Sequence, residues 1–137
     1  MEVFVEHLGA VQFEIKARQH VIECDQPVES GGFDEGMTPP ELLLASLGSC
    51  AAYYAAEYLR KNELAEKGTK VRVTADKRKD EHGARLDNFR IFVDVAPGLE
   101  ARHVEGLERA VHKCLIHNTL LHPATITTEI HAPAIAL

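Results

Sequence analysis

The chain has no run of apolar residues long enough to cross a bilayer. Its longest nearly continuous apolar or small stretch, Leu42 to Ala56, falls short of the roughly 18 to 20 residues a span needs and predicts a buried helix instead. A basic segment followed by an apolar run is also missing at the N-terminus, so no signal peptide is expected. Positive charge is scarce: 15 Lys and Arg stand against 21 Asp and Glu, a net charge of -6, and the longest charged run is the short one from Asp76 to Glu81. A phosphate-backbone binder needs concentrated Lys and Arg, and neither a nucleic acid nor a membrane is expected as a partner. Cysteine is limited to positions 24, 50 and 114, which form neither a dense extracellular framework nor a CxxC pair. Together with the missing export signal this predicts a reducing, cytoplasmic setting in which thiols are free and any disulfide is transient.

At 137 residues the chain suits one domain, residues 1–137, with a sizeable core. The N-terminal third alternates with a period of two: Val3 and Val5, then Val11, Phe13, Ile15 and Ala17, each set interleaved with polar residues. This predicts half-buried strands, joined by a turn at Leu8–Ala10 and followed by a third at Val21–Cys24. From Asp25 to Thr38 the composition turns to Pro, Ser, Gly and acidic residues, a loop. Its glycines could cradle an anion, but no Gly-rich fingerprint or Walker lysine supports a nucleotide site.

Thr38-Pro39-Pro40-Glu41 is a helix start: Thr38 caps, Pro39 takes the first helical position and Glu41 completes a capping box. The helix should run to about Asn62, and its nearly all-round apolar or small surface from Leu42 to Ala56 must be covered on several sides. A partner subunit, or the chain's own sheet and second helix, could supply that cover. Strands are expected around Val71–Ala75 and Phe89–Val95, separated by a charged solvent loop from Asp76 to Asp87. A second helix should follow from Leu99 to Cys114, with Val104, Leu107 and Val111 on one face. Asn118 to Ala124 reads as a connection, and Ile126, Thr128 and Ile130 as a last strand. Strands, helix, strands, helix and strand define an α+β fold, since the strand-helix alternation of a parallel sheet is missing.

Cys50 lies mid-helix, where a free cysteine is most simply a small buried hydrophobe. Glu41, nine residues earlier, is displaced by roughly 13 to 14 Å along the axis and points the other way, so it cannot serve Cys50. Tyr54 and Glu57 share the Cys50 face, but a carboxylate alone would raise a thiol pKa, and an activating cation such as Arg18 has to come from elsewhere. Near Cys114 stand His112 and His117, which leaves three chemistries open. The histidines and both cysteines could ligate a metal, although the spacing matches no strong zinc pattern. A Cys-His hydrolase lacks a marked oxyanion hole. Two thiols brought together could reduce a peroxide, one attacking and the other resolving the sulfenic acid.

The segment from Pro40 to Cys50, PELLLASLGSC, resembles the first-cysteine motif of the OsmC/Ohr superfamily, and Lys113 to Leu120, KCLIHNTL, resembles the second. ELLLASLGSC is closer to the general OsmC-related branch than to a well-defined Ohr site. Ohr-like members carry a glutamate where this chain has Pro40, and commonly a proline where it has Leu115. The resemblance implies an intertwined homodimer, with curved antiparallel sheets around a long buried helix and a second helix. It implies Cys50 as peroxidatic and Cys114 as resolving residue, Arg18 as the best match for the thiolate-stabilising arginine, and no cofactor or metal. The expected reaction is thiol-dependent reduction of an organic hydroperoxide or hydrogen peroxide in oxidative-stress defence, reset by a small-molecule or protein dithiol. Leu43, Leu47, Tyr53, Tyr54 and Glu57 are the substrate-pocket candidates, and Cys24 matches neither motif and should pack on its strand. The alternative is a noncatalytic ligand-binding or protein-interaction module that keeps the dimer.

Overall fold

The computed structural model describes residues 1–135. Period-two patterning at the N-terminus gives β1 (Phe4–Gly9), β2 (Gln12–Ala17) and β3 (His20–Cys24), an antiparallel sheet in the order β1-β2-β3. Its register places Val5 opposite Ile15 and Ile15 opposite Ile22, so these three form one apolar row across the sheet. Within this one chain the row stays largely open to solvent, with Val5 62% and Ile22 46% exposed.

The Gly-rich segment after β3 folds around the chain's own Asp25. The backbone N–H groups of Gln26, Phe33 and Glu35 donate to its carboxylate at 2.7, 3.0 and 3.1 Å, and the Gln12 amide adds a fourth hydrogen bond at 3.2 Å. The donors that an external anion could have used are spent here. A Cβ on Gly32 would fall 1.9 Å from the Gln26 carbonyl oxygen, so this close turn admits only glycine.

Helix α1 (Pro39–Lys61) starts as the capping box requires: Glu41 accepts from the Thr38 N–H at 2.8 Å, and Thr38 Oγ1 accepts from the Glu41 N–H. It ends at Asn62, whose side chain donates to the Tyr58 carbonyl at 2.8 Å. One stripe of α1, Leu47, Ala51, Ala55 and Leu59, is fully buried; each leucine contributes about 2 kcal/mol of transfer free energy at most. The opposite face, with Ser49 and the 63% exposed Tyr53, is uncovered in the single chain.

Two long strands, β4 (Lys70–Asp80) and β5 (Gly83–Asp94), form a separate antiparallel hairpin. The charged stretch expected as a loop is therefore strand almost throughout, with only Glu81 and His82 at its tip. Alternation of hydrophobicity fails there because both faces of the ribbon meet water; polar cross-strand pairs hold it instead, Arg78 with Asp87 at 3.1 Å and Asn88 with Asp76 at 2.7 Å.

Helix α2 (Ala101–Val111) packs Leu107 and Val111 against α1, while Val104, expected on the same face, is 54% exposed. The second helix also stops sooner than expected. After a turn at His112 and Lys113, Cys114 caps a new short helix, α3 (Leu115–Leu121), in place of most of the expected connection. The expected last strand does not form: Ile126, Thr128 and Ile130 are exposed, and among the described residues no strand lies beside them.

Candidate active site

Cys50, in the fourth turn of α1, faces the junction of α2 and α3, where its thiol and that of Cys114 lie close enough to shift one another. The two residues are 64 positions apart in sequence, and the packing of α3 on α1 brings them together. Both thiols are free, Cys50 half-buried and Cys114 fully buried. The first N–H groups of a helix have no partner within it, and in α3 they serve sulfur. The His117 N–H donates to Cys114 Sγ at 3.4 Å, and the Leu115 and Ile116 N–H groups act on Cys50.

These donors separate the two thiols electrostatically. Burial pushes Cys50 up, but the hydrogen bonds from the Cys114 thiol and from the Ile116 and Leu115 N–H groups outweigh it and bring Cys50 below the ordinary thiol value. Burial raises Cys114, and its role as donor to Cys50 raises it further. The two thiols are therefore pushed in opposite directions, Cys50 toward the thiolate and Cys114 toward the protonated form.

A groove of about 1010 Å³ opens between β5, α2 and the ends of α1 and α3; neither cysteine lines it. It is mainly apolar, with Leu43, Leu47, Phe89, Val111 and Leu121 in its walls and Asp87, Glu108, His112 and His117 among its polar residues. Of the five pocket candidates, Leu43 and Leu47 line this groove and the other three do not. Tyr53 and Tyr54 form an edge-to-face pair with ring centroids 5.3 Å apart, and Glu57 is held by Lys61 at 3.1 Å.

Arg18 stands exposed in the β2–β3 turn, in the left-handed region at φ 57°, and is not among the groups that shift Cys50. The single chain does not bring it to the thiol. The donors the sequence could not show are the Leu115 and Ile116 N–H groups, because backbone donors have no side-chain signature and Cys114 is an unusual capping residue. Cys24 is buried at the end of β3, paired opposite Phe13. Among the described residues no three His, Cys, Asp or Glu side chains gather in a set that could hold a metal ion, and no helix is long and apolar enough to cross a membrane.

An α+β fold with two free cysteines, one lowered and one raised, meeting at a helix N-terminus defines a paired-thiol protein. The OsmC-like protein family model matches residues 32–129, and the chain belongs to that family. No curated protein sequence matches it. Among solved structures it is similar to an osmotic stress induced and detoxification response protein from Psychrobacter arcticus 273-4, with 24% identity, TM-score 0.76 and 88% of each chain covered. An OsmC-like protein from Mycoplasma pneumoniae has 18% identity and TM-score 0.76, with 89% of this chain and 87% of that one covered. The organic hydroperoxide resistance protein OhrB of Bacillus subtilis has 17% identity and TM-score 0.62, over 85% of this chain and 87% of that one. At these identities the likeness is one of fold.

Proposed function

We propose that the chain is a thiol-dependent peroxidase that reduces organic hydroperoxides or hydrogen peroxide in oxidative-stress defence. The observation that carries this reading is the Cys50–Cys114 pair at the start of α3, with Cys50 lowered and Cys114 raised from the ordinary thiol value. Similar folds named for organic hydroperoxide resistance, from Bacillus subtilis and Elizabethkingia anophelis, support the substrate class. The Cys50 thiolate attacks the distal peroxide oxygen, the O–O bond breaks, and the alkoxide or hydroxide takes up a proton and leaves as alcohol or water. Cys50 is then a sulfenic acid. Cys114 attacks it, expels water and forms the Cys50–Cys114 disulfide, which a dithiol reduces in the cytoplasm. The working unit is a homodimer, in which Arg18 reaches the partner's thiolate.

The test is anaerobic thiol titration after one equivalent of cumene hydroperoxide or hydrogen peroxide. The wild type should lose two thiols, Cys50→Ser should consume no peroxide rapidly, and Cys114→Ser should accumulate trappable sulfenic acid. Unchanged consumption without Cys50 would overturn the reading and leave a noncatalytic binding module.

A further inference from the structure

The groove-side face of the β4–β5 ribbon changes character along its length. Between the pairs Thr74–Arg90 and Asp76–Asp87, β4 has one residue, Ala75, and β5 has two, Asn88 and Phe89. This is a β-bulge, with Asn88 in the left-handed region at φ 53° and its side-chain amide donating to Asp76 at 2.7 Å. In an unbroken strand Leu86 and Phe89, three positions apart, would face opposite sides. The extra residue brings Leu86 round, and it joins Phe89, Ile91, Val93 and Val95 in one wall of the groove. At about 3.3 Å per residue that wall runs for roughly 25 Å.

Past Leu86 the same face becomes cationic. Lys77 stands directly across from Leu86, and Lys79 from Ala84, and directly opposed residues share a face of the sheet. The aspartates of the arm are already engaged: Asp76 with Asn88, Asp80 with Arg85 and Asp87 with Arg78. Among the described residues neither Lys77 nor Lys79 is ion-paired. Two uncompensated cations two positions apart on one strand favour an anion beside them. The groove's other carboxylate, Glu108, is on α2, the facing wall, and keeps an anion away from that side.

We propose that the groove and the adjoining face of the β4–β5 arm bind an elongated apolar molecule with an anionic end, the chemistry of a long-chain carboxylate. The chain lies along the β5 wall from Val95 to Leu86, and the head group meets Lys77 and Lys79. Charge and apolar surface are thus arranged along one face in the order that such a molecule presents them. The site is separate from the thiol chemistry and holds whether or not Cys50 reduces a peroxide.

Fluorescence titration of the whole reduced protein with cis-parinarate, followed by displacement with dodecanoate or dodecanol, tests this with no peroxide present. The probe should bind saturably, and dodecanoate should displace it better than dodecanol. A Lys77→Gln/Lys79→Gln double variant should weaken dodecanoate by about three- to tenfold, the range for two exposed ion pairs, and leave dodecanol unchanged. Raising the salt from about 0.05 to 0.5 M should weaken dodecanoate in the wild type and not in the double variant. Leu86→Asn should weaken both competitors, and Lys70→Gln, at the far end of β4, should weaken neither. Equal affinity for dodecanoate in the wild type and the double variant overturns the proposal. So does an affinity that follows His112→Gln instead of the lysines, which would place the head group at the other polar residues of the groove. An absence of saturable binding also overturns it, and would leave the groove to be covered by a second copy of the chain.

Discussion

At the scale of single residues, Asp25 shows how the protein treats a buried charge. Burial works to raise its carboxyl, but hydrogen bonds from the Gln26, Glu35 and Phe33 N–H groups and the Gln12 side chain outweigh that and hold it below the ordinary carboxylate value. Because the folded group titrates below its unfolded value, its contribution is complete above the unfolded value, about pH 4. It is lost as the pH falls through the folded one. Asp25→Asn keeps the shape but points an amide N–H₂ into a nest of donors, so its urea midpoint at pH 7 should lie below that of the wild type. The gap should narrow as acid protonates the wild-type carboxyl. A gap that stays constant from pH 7 to pH 3 would show that Asp25 contributes through packing alone. The loop's glycines could have cradled an outside anion; the backbone donors instead hold a carboxylate of the loop itself.

At the scale of elements, the joint between α1 and α2 depends on a missing methyl group. A Cβ on Gly106 would lie 2.0 Å from the Tyr58 hydroxyl, which is hydrogen-bonded to His103 Nδ1 at 3.1 Å. Gly106→Ala gains about 1 kcal/mol of helix propensity, but it must displace Tyr58 and break that bond, and overpacking costs about 1 to 3 kcal/mol. The single variant should be destabilised in denaturant melts. In a Tyr58→Ala background the same substitution should become stabilising by up to about 1 kcal/mol, and destabilisation in both backgrounds would remove Tyr58 as the cause. Elements written in local chemistry were legible in the sequence: the Thr38–Glu41 capping box, the end of α1 at Asn62 and the strands β1 to β3. Those that depend on a neighbour were not. The arms of β4 and β5 beyond Asp76 and Asn88 are held by cross-strand polar pairs, and Ile126 to Ile130 has strand periodicity but, among the described residues, no strand beside it. The two cysteines were legible as a pair only through family resemblance. Their electrostatic separation was not, because it comes from the N–H groups of a helix whose start at Leu115 carries no conventional cap.

At the scale of the molecule, the single chain is unfinished in a consistent way. Val5, Phe13 and Ile22 lie open on one sheet, Tyr53 and Leu43 on α1, and Ile126, Ile130 and Ile135 along the C-terminal segment. Exposed apolar surface on three elements suits an interface, and under the proposed function a second copy of the chain would cover it and bring Arg18 to the partner's Cys50. If Arg18 acts across that interface, the two functions should be separable between subunits. A dimer of two Arg18→Ala chains should have poor peroxidase activity, and one of two Cys50→Ser chains none. A mixed dimer, co-expressed with two affinity tags and purified through both, pairs the intact Arg18 of one chain with the intact Cys50 of the other. Acting in trans, that arrangement restores one of the two sites, about half the wild-type rate per dimer. Acting in cis, the only remaining Cys50 sits in the chain without Arg18, and the mixed dimer is no better than half the Arg18→Ala dimer. Sedimentation at micromolar concentration must first show a species of twice the chain mass, and a monomer there removes both the interface and the trans arginine. With the dimer established, the mixed-dimer rate decides which chain's arginine serves each thiolate.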